Sequence, residues 1–371
     1  MVHGSRFMVY GWLISNFEPG TSEPEIGGMM NRLALYFLGP RQVSVREEPL
    51  SPPVPGQVQV QTILSAVSPG TELLIYRGQA PIGQPVDEAI AALLGTFDFP
   101  LKYGYSVVGR VIAIGSEVDA SWEGKLVFAL HPHESHFTAS PAELMPLPDN
   151  ITVEDAVFLA NMETAINFVM DGRPLMGEQV TVFGQGIVGL LTVALLAQFP
   201  LASLITLDCH PLRRHTSLGL GAHASLDPMA PDAVGQTRSL LQGACPYPGA
   251  DLTYELSGAP AALDQAIAVT GFNGRVVLGS WYGQKRVDLD LGGRFHRSRI
   301  HLISSQVSTL APEFTGCWSK ARRFQVAWQM LHKVKPSHCI SHRFPITQAR
   351  EAYRLLDESP GEAIQVVLTY G

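Results

Sequence analysis

The stretch EQVTVFGQGIVGLLTVALLAQFP, residues 178–200, constrains the fold more than any other. A short β-branched run meets Gly184, Gly186 and Gly189 in G-x-G-x-x-G spacing, and a long apolar helical run follows until Pro200. A second apolar run, SLITLD, ends in Asp208, 19 residues beyond Gly189. Strand, glycine turn, helix, strand and acidic residue in this order predict a βαβ unit that binds a dinucleotide. Gly184 permits the tight turn. Gly186 lets a pyrophosphate approach the backbone, and Gly189 lets helix and strand pack closely. With Gln185, Ile187 and Val188, these glycines form the expected phosphate contact, where the helix start offers free N–H groups and a positive dipole end. Asp208 suits the adenosine ribose hydroxyls and repels a 2′-phosphate. NAD is therefore expected, with NADP as the alternative because Arg213 and Arg214 follow closely and suit such a phosphate.

Strand and helix go on alternating through ADLTYELSG, AALDQAIAVTG and GRVVLGS, which predicts a doubly wound parallel sheet. The chain before it reads differently. LALYFLG, VSVREEP, QVQVQTILSAVS, YSVVGRVIAIG and GKLVFALH are short strands between Gly/Pro turns, and only DEAIAALLG (87–95) looks helical. At ITVEDAVFLANMETAINFVMD the period turns helical, with Thr152 and Asp155 as a capping pair. The tail reads helix (RRFQVAWQMLHKV), strand, helix (TQAREAYRLLDES) and strand (AIQVVLTY).

A chain of 371 residues exceeds one ordinary core, so two domains are expected. The net charge of −7 comes with no basic block, which argues against nucleic acid and against a polybasic membrane anchor. Cys209, Cys245, Cys317 and Cys339 are scattered without a CxxC, as in reduced cytoplasmic proteins. Residues 1–28 carry one short apolar run and then turn-rich sequence, and are expected to be a flexible extension. No later apolar run reaches membrane-spanning length.

SPGTELLIYRG, GYSVVGRVIAIGSEV, VFGQGIVG and SHRFPITQAREAYRLLDESPGEAIQVVLTY together resemble the medium-chain dehydrogenase/reductase superfamily, the zinc alcohol dehydrogenase type. The resemblance covers roughly residues 31–371. It implies a GroES-like β-rich catalytic domain (29–162 plus 304–371), a Rossmann domain (163–303), an active site in the cleft between them, and a homodimer. It also implies that the chain passes the nicotinamide after GRVVLGS, so Leu278 and Ser280 are expected cofactor contacts. Trp281 and Tyr282 are then part of a substrate wall or simply edge aromatics.

The departures from that family concern the metal. Zinc members read C-G-T-D where this chain has Pro69-Gly70-Thr71-Glu72, and G-H-E where it has Gly104-Tyr105-Ser106. The third ligand position falls near Asn161, and HPHESHFTASPAEL replaces the four-cysteine structural zinc loop. Catalytic zinc wants about three N, S or O protein ligands, so no zinc is expected. A metal cluster of His131, His133 and His136 is also not expected. Alternation puts His131 and His133 on one face, but Pro132 breaks the strand and His136 has the wrong parity.

Without metal, hydrogen-bond donors must stabilise the developing oxyanion. Thr71, Tyr105 and His131 are the candidates, by alignment with family positions. Their plainer readings are a helix cap for Thr71 and a half-buried strand residue for Tyr105. The expected function is hydride transfer between NAD(P) and an alcohol/ketone pair. The alternatives are a quinone or enone reductase of the same fold, and a non-catalytic nucleotide-binding protein.

Overall fold

The computed structural model describes residues 30–87, 90–241 and 248–371. The expected extension over 1–28 and Cys245 lie outside the described residues.

The strand-rich opening folds as read. β1 (Met30–Gly39) and β2 (Gln42–Leu50) form an antiparallel hairpin. β3 (Val58–Ala66) runs into α1 (Pro69–Tyr76), and β4 (Val107–Ile114), β5 (Leu126–Ala129), β6 (His136–Ala139) and β7 (Leu144–Pro146) follow. DEAIAALLG yields one 3-10 turn at Ala91–Leu93, while 88–89 lie outside the described residues. So short a segment forms too few hydrogen bonds to offset the dihedrals that a helix nucleus must fix.

Thr152 caps α2 (Val153–Ala156) by accepting from the Asp155 N–H, as its spacing predicts, and α3 (Leu159–Gly172) follows. Next come β8 (Gln179–Phe183), α4 (Ile187–Leu196), β9 (Ser203–Leu207), α5 (Pro211–Gly219), β10 (Ala224–Leu226) and α6 (Ala233–Leu240). β11 (Ala250–Glu255), α7 (Pro260–Val269), β12 (Thr270–Leu278) and β13 (His301–Ser304) complete the alternating part. Among the described residues these six strands form one sheet in the order β10-β9-β8-β11-β12-β13, every pairing parallel. In chain order that is 3-2-1-4-5-6, the Rossmann arrangement. Its direction of winding reverses between β8 and β11, the point at whose carboxyl ends open sheets of this order bind ligands.

The tail adds α8 (Lys320–Val334), β14 (Ile340–Pro345), α9 (Ala349–Glu358) and β15 (Gln365–Thr369). β15 pairs antiparallel with β3, Val367 opposite Ala66 and Thr369 opposite Leu64, and parallel with β14. The chain's end thus completes the second sheet, β14-β15-β3-β4-β5-β7, begun in its first third. One apolar cluster joins this sheet to the Rossmann helix. Leu64, Val108 and Phe128 pack with Ile187, Leu190, Leu191 and Leu195 of α4 and with Ala327 and Leu331 of α8.

Beside that cluster, Arg323 of α8 is fully buried. Its guanidinium donates to Glu163 Oε1 (2.8 and 3.0 Å), to Asn167 Oδ1, and to the Val307 and Thr309 carbonyls. It therefore ties α3 to the segment that leaves the parallel sheet. Removing one partner of a buried pair strands the other's charge in low dielectric. Arg323→Ala is expected to cost about 3–5 kcal/mol of stability, and adding Glu163→Ala should cost less than the two single losses summed. Equilibrium denaturation of the three variants checks this.

Candidate active site

The cofactor crevice is built by the glycine turn after β8. Gly184 has φ +87°, and a Cβ there would meet the Ser257 backbone nitrogen at 2.5 Å. A Cβ on Gly189 would run into the Gly184 carbonyl. A Cβ on Gly186 would meet nothing within 4 Å. Gly186 is also the N-cap of α4, with no side chain to satisfy the first N–H groups at Ile187, Val188 and Gly189. Open space in front of unsatisfied N–H groups fits a pyrophosphate. The side chain of Gln185 turns inward, donating to the Val182 carbonyl at 3.0 Å.

Asp208 follows β9 and is buried. Its Oδ2 accepts from Gln185 N at 2.7 Å and its Oδ1 from His210 N at 2.8 Å. The carboxylate is therefore fixed to the glycine turn, with acceptor capacity remaining for ribose hydroxyls. The arginines are engaged elsewhere. Arg213, expected at the cofactor, is corrected: it donates to the Pro360 carbonyl (2.8 Å) and the Ala363 carbonyl (3.2 and 3.3 Å). Arg214 donates to the Asp208 and Cys209 carbonyls and pairs with Asp227 at 3.3 Å. Nothing along the chain marks 360–363 as the partner of Arg213, because only the fold brings that segment to α5.

At the other end, Leu278 closes β12 and Ser280 lies two residues beyond it, its hydroxyl 3.4 Å from the Glu255 carbonyl. The Tyr282 hydroxyl is taken by Glu255 Oε2 at 2.8 Å. Trp281 is 41% exposed and stacks on Phe97 of the loop after α1, with centroids 5.7 Å apart.

Of the three expected donors, the structure brings two together. The Tyr105 hydroxyl is hydrogen-bonded to Ser68 Oγ, and the Thr71 hydroxyl is near enough to act on the phenol's pKa. Burial raises the phenol above its ordinary pKa. The Ser68 and Thr71 hydroxyls oppose that shift, and the nearby Glu72 adds to it. Thr71 is the third residue of α1, and the cap position belongs to Ser68.

His131 is corrected. It does not join Tyr105 and Thr71, and it does not share a face with His133. Residues 130–135 link β5 to β6 with only a single bridge, from Glu134 to Ala34, so the period-2 alternation of a continuous strand does not carry across Pro132. His131 stacks on Phe137 at 3.9 Å and faces a separate basin of 510 Å³ lined by Arg32, Lys102 and Glu134, which shares no residue with the Tyr105 group. Burial pushes its imidazole down to about 4. His133 turns the other way and is fully buried, with Nε2 3.1 Å from Glu72 and Nδ1 2.7 Å from Ser65 Oγ. Sequence reasoning missed Ser68, Ser65 and His133. One signal was present: Glu72 sits one residue past the capping-box position relative to Ser68.

No family model matches the chain. D-guloside 3-dehydrogenase of Escherichia coli (strain K12) is 23% identical over 339 residues, spanning 85% of this chain and 93% of that protein. An uncharacterized zinc-type alcohol dehydrogenase-like protein of the same organism is 25% identical over 370 residues, 92% of this chain and 99% of that one. An alcohol dehydrogenase of E. coli CFT073, solved as a complex with NADH, superposes with TM-score 0.73 at 18% identity, covering 92% of this chain and 99% of that one. The chain has the fold of these dehydrogenases and is similar to them in sequence over most of its length. The curated proteins it resembles are named as dehydrogenases.

The zinc of this superfamily does not fit the side chains present. Pro69 has no donor atom, Tyr105 is engaged by Ser68, and Asn161 offers only a neutral amide. No group of three His, Cys, Asp or Glu side chains that could hold a metal occurs among the described residues.

The two later glycines make opposite predictions. Gly186→Ala should fold with unchanged stability but bind NADH at least about tenfold more weakly, a loss of roughly 1.4 kcal/mol. Gly189→Ala should lose about 1–3 kcal/mol of stability through overpacking. Thermal unfolding and NADH titration of both variants separate the two effects.

Proposed function

We propose that this chain is a zinc-independent, NAD-dependent oxidoreductase of an alcohol/ketone pair, with Tyr105 as the donor to the substrate oxygen. The observation that carries the reading is the hydrogen bond between the Ser68 and Tyr105 hydroxyls, with Tyr105 at a position that the resemblance gives to a zinc ligand, together with a glycine turn whose geometry suits a pyrophosphate. The named relatives, a D-guloside 3-dehydrogenase and an (R,R)-butanediol dehydrogenase among them, support alcohol chemistry. The same reading takes 29–162 plus 304–371 as catalytic domain, 163–303 as cofactor domain, and the assembly as a cytoplasmic homodimer.

The nicotinamide, when bound, supplies or accepts the hydride. The residues of the chain handle the proton. In the reducing direction negative charge develops on the carbonyl oxygen, and the Tyr105 phenol donates to it. The Ser68 and Thr71 hydroxyls then donate to the phenolate left behind. One preorganised donor is worth about 2.7–4 kcal/mol, comparable with the several kcal/mol that a metal would supply as Lewis acid. Asp208, pinned by two N–H groups, is left to receive ribose hydroxyls. Arg213 and Arg214 are both engaged, which supports NAD over NADP.

Tyr105→Phe should lower turnover by about 10²–10⁴-fold with NADH binding unchanged, in protein whose elemental analysis shows no stoichiometric zinc. The donor form exists below the phenol's pKa, which burial raises. The rate of ketone reduction should therefore show no loss of donor protonation below about pH 10. Wild-type turnover in the variant, or one zinc per chain, would overturn the reading.

NADH should bind more tightly than NADPH, and Asp208→Ser should narrow the gap by removing carboxylate–phosphate repulsion. Titration of both proteins with both cofactors tests this. Equal affinities in the wild type would count against NAD.

A further inference from the structure

Ser68 departs from the role that its own surroundings invite. It is the N-cap residue of α1, in extended conformation (φ −92°, ψ 97°), followed by Pro69 at the first helical position. A serine there ordinarily turns its hydroxyl onto an N–H of the first turn. Ser68 makes no such bond. Its Oγ is hydrogen-bonded to the Tyr105 hydroxyl instead.

Its backbone is held by a different group. Glu72 reaches back along the helix, and its Oε1 accepts from Ser68 N at 2.8 Å. The other oxygen, Oε2, accepts from His133 Nε2 at 3.1 Å and from the Tyr353 hydroxyl. The other ring nitrogen, Nδ1, is hydrogen-bonded to Ser65 Oγ, 2.7 Å away. Ser65 is in turn 2.7 Å from the Tyr370 hydroxyl. Glu72, His133, Ser65 and Tyr353 are all fully buried. A carboxylate anchored at both oxygens therefore fixes the Ser68 backbone and leaves the hydroxyl free of capping duty. A local rule broken while a buried network compensates for it is the mark of a site kept for chemistry rather than for stability.

We propose that Ser68 is a positioning residue for the reaction. It orients the Tyr105 phenol and donates to the phenolate that forms when the proton leaves, and Glu72 with His133 holds Ser68 for this task. The inference rests on the reading of Tyr105 as proton donor.

The test uses full-length protein with NADH and a ketone that it reduces, and compares Ser68→Ala, Ser68→Gly, Ser68→Thr, Tyr105→Phe and the Ser68→Ala/Tyr105→Phe double variant. Losing a hydrogen bond to a charged phenolate should lower kcat about 10- to 100-fold in Ser68→Ala. The KM for ketone, the affinity for NADH and the melting temperature should stay near wild type, because this hydroxyl caps nothing. Ser68→Gly, with a residue well tolerated at an N-cap, guards against a folding artefact and should match Ser68→Ala. Ser68→Thr should recover most of the rate. The double variant should be no slower than Tyr105→Phe alone, since Ser68 acts through the phenol. Wild-type kcat in Ser68→Ala and Ser68→Gly beside a slow Tyr105→Phe would overturn this inference alone. So would a loss of rate that tracks a loss of melting temperature and that threonine does not restore, or single losses that multiply in the double variant. A Tyr105→Phe as fast as wild type would overturn the donor reading, and this inference with it.

Discussion

The antiparallel pairing of Val367–Thr369 with Leu64–Ala66 supports nearly everything at the site. It joins segments about three hundred residues apart, a closure whose entropy grows only slowly with loop length. Complete burial of Val366, Val367 and Leu368 offsets that cost. The seam continues past the strand: Val67 N donates to the Val366 carbonyl at 3.0 Å, and Gln365 donates to the Val67 carbonyl at 2.8 Å. α1 starts only two residues later, so its position is set by the seam. The C-terminal segment then delivers Tyr353 to Glu72 and Tyr370 to Ser65. The hydroxyl group around Tyr105 thus depends on the last twenty residues as much as on the loop that carries it.

The same C-terminal segment reaches α5, just beyond Asp208. Arg213 of α5 donates to the carbonyls of Pro360 and Ala363, and Gly361 lies so close to His210 that a Cβ would meet its Nδ1 at 2.8 Å. At the nicotinamide end, Phe97 stacks on Trp281, and Gly283 packs near Leu74 and the Gln79 carbonyl. Contacts between the two sheets' loops therefore bracket the crevice at both ends. Under the proposed reading, an arginine already satisfied by two carbonyls gains little from a phosphate, whereas the Asp208 carboxylate keeps lone pairs for hydroxyls.

A hydroxyl donor of the kind proposed for Tyr105 makes different demands on rigidity from a metal. A zinc ion stabilises charge from any direction in which it has an open position, whereas a phenol does so only along its O–H bond, and hydrogen bonds weaken steeply with misalignment. A donor of this kind needs its torsion held. The Ser68 contact and the edge-on packing of Tyr103 against the Tyr105 ring, 6.1 Å between centroids, supply such restraint. The buried Glu72–His133 pair continues it inward, with every oxygen and ring nitrogen partnered, as a buried polar network requires.

The sequence by itself determined the local and periodic features. The strand–glycine–helix–strand–Asp208 unit was legible because each of its residues acts on its immediate neighbours: Gly184 by its φ, Gly186 by open space, Gly189 by its contact with the turn just before it. The Thr152 cap and the alternation behind the parallel sheet were legible for the same reason, since backbone sterics and side-chain period operate within a few residues. That Pro69 offers no side-chain ligand was legible because proline has no side-chain donor atom in any fold. Tertiary structure decided the rest. His131 and His133 look equivalent in the chain, yet the irregular path around Pro132 sends one to an outer basin and the other to Glu72. Arg213 sits five residues after Asp208 but is taken by carbonyls some 150 residues away. Ser68 reads as an ordinary cap until Tyr105, 37 residues on, meets its hydroxyl. Which of several possible partners satisfies a polar group depends on what the fold brings within about 3 Å, and no local pattern encodes that distance.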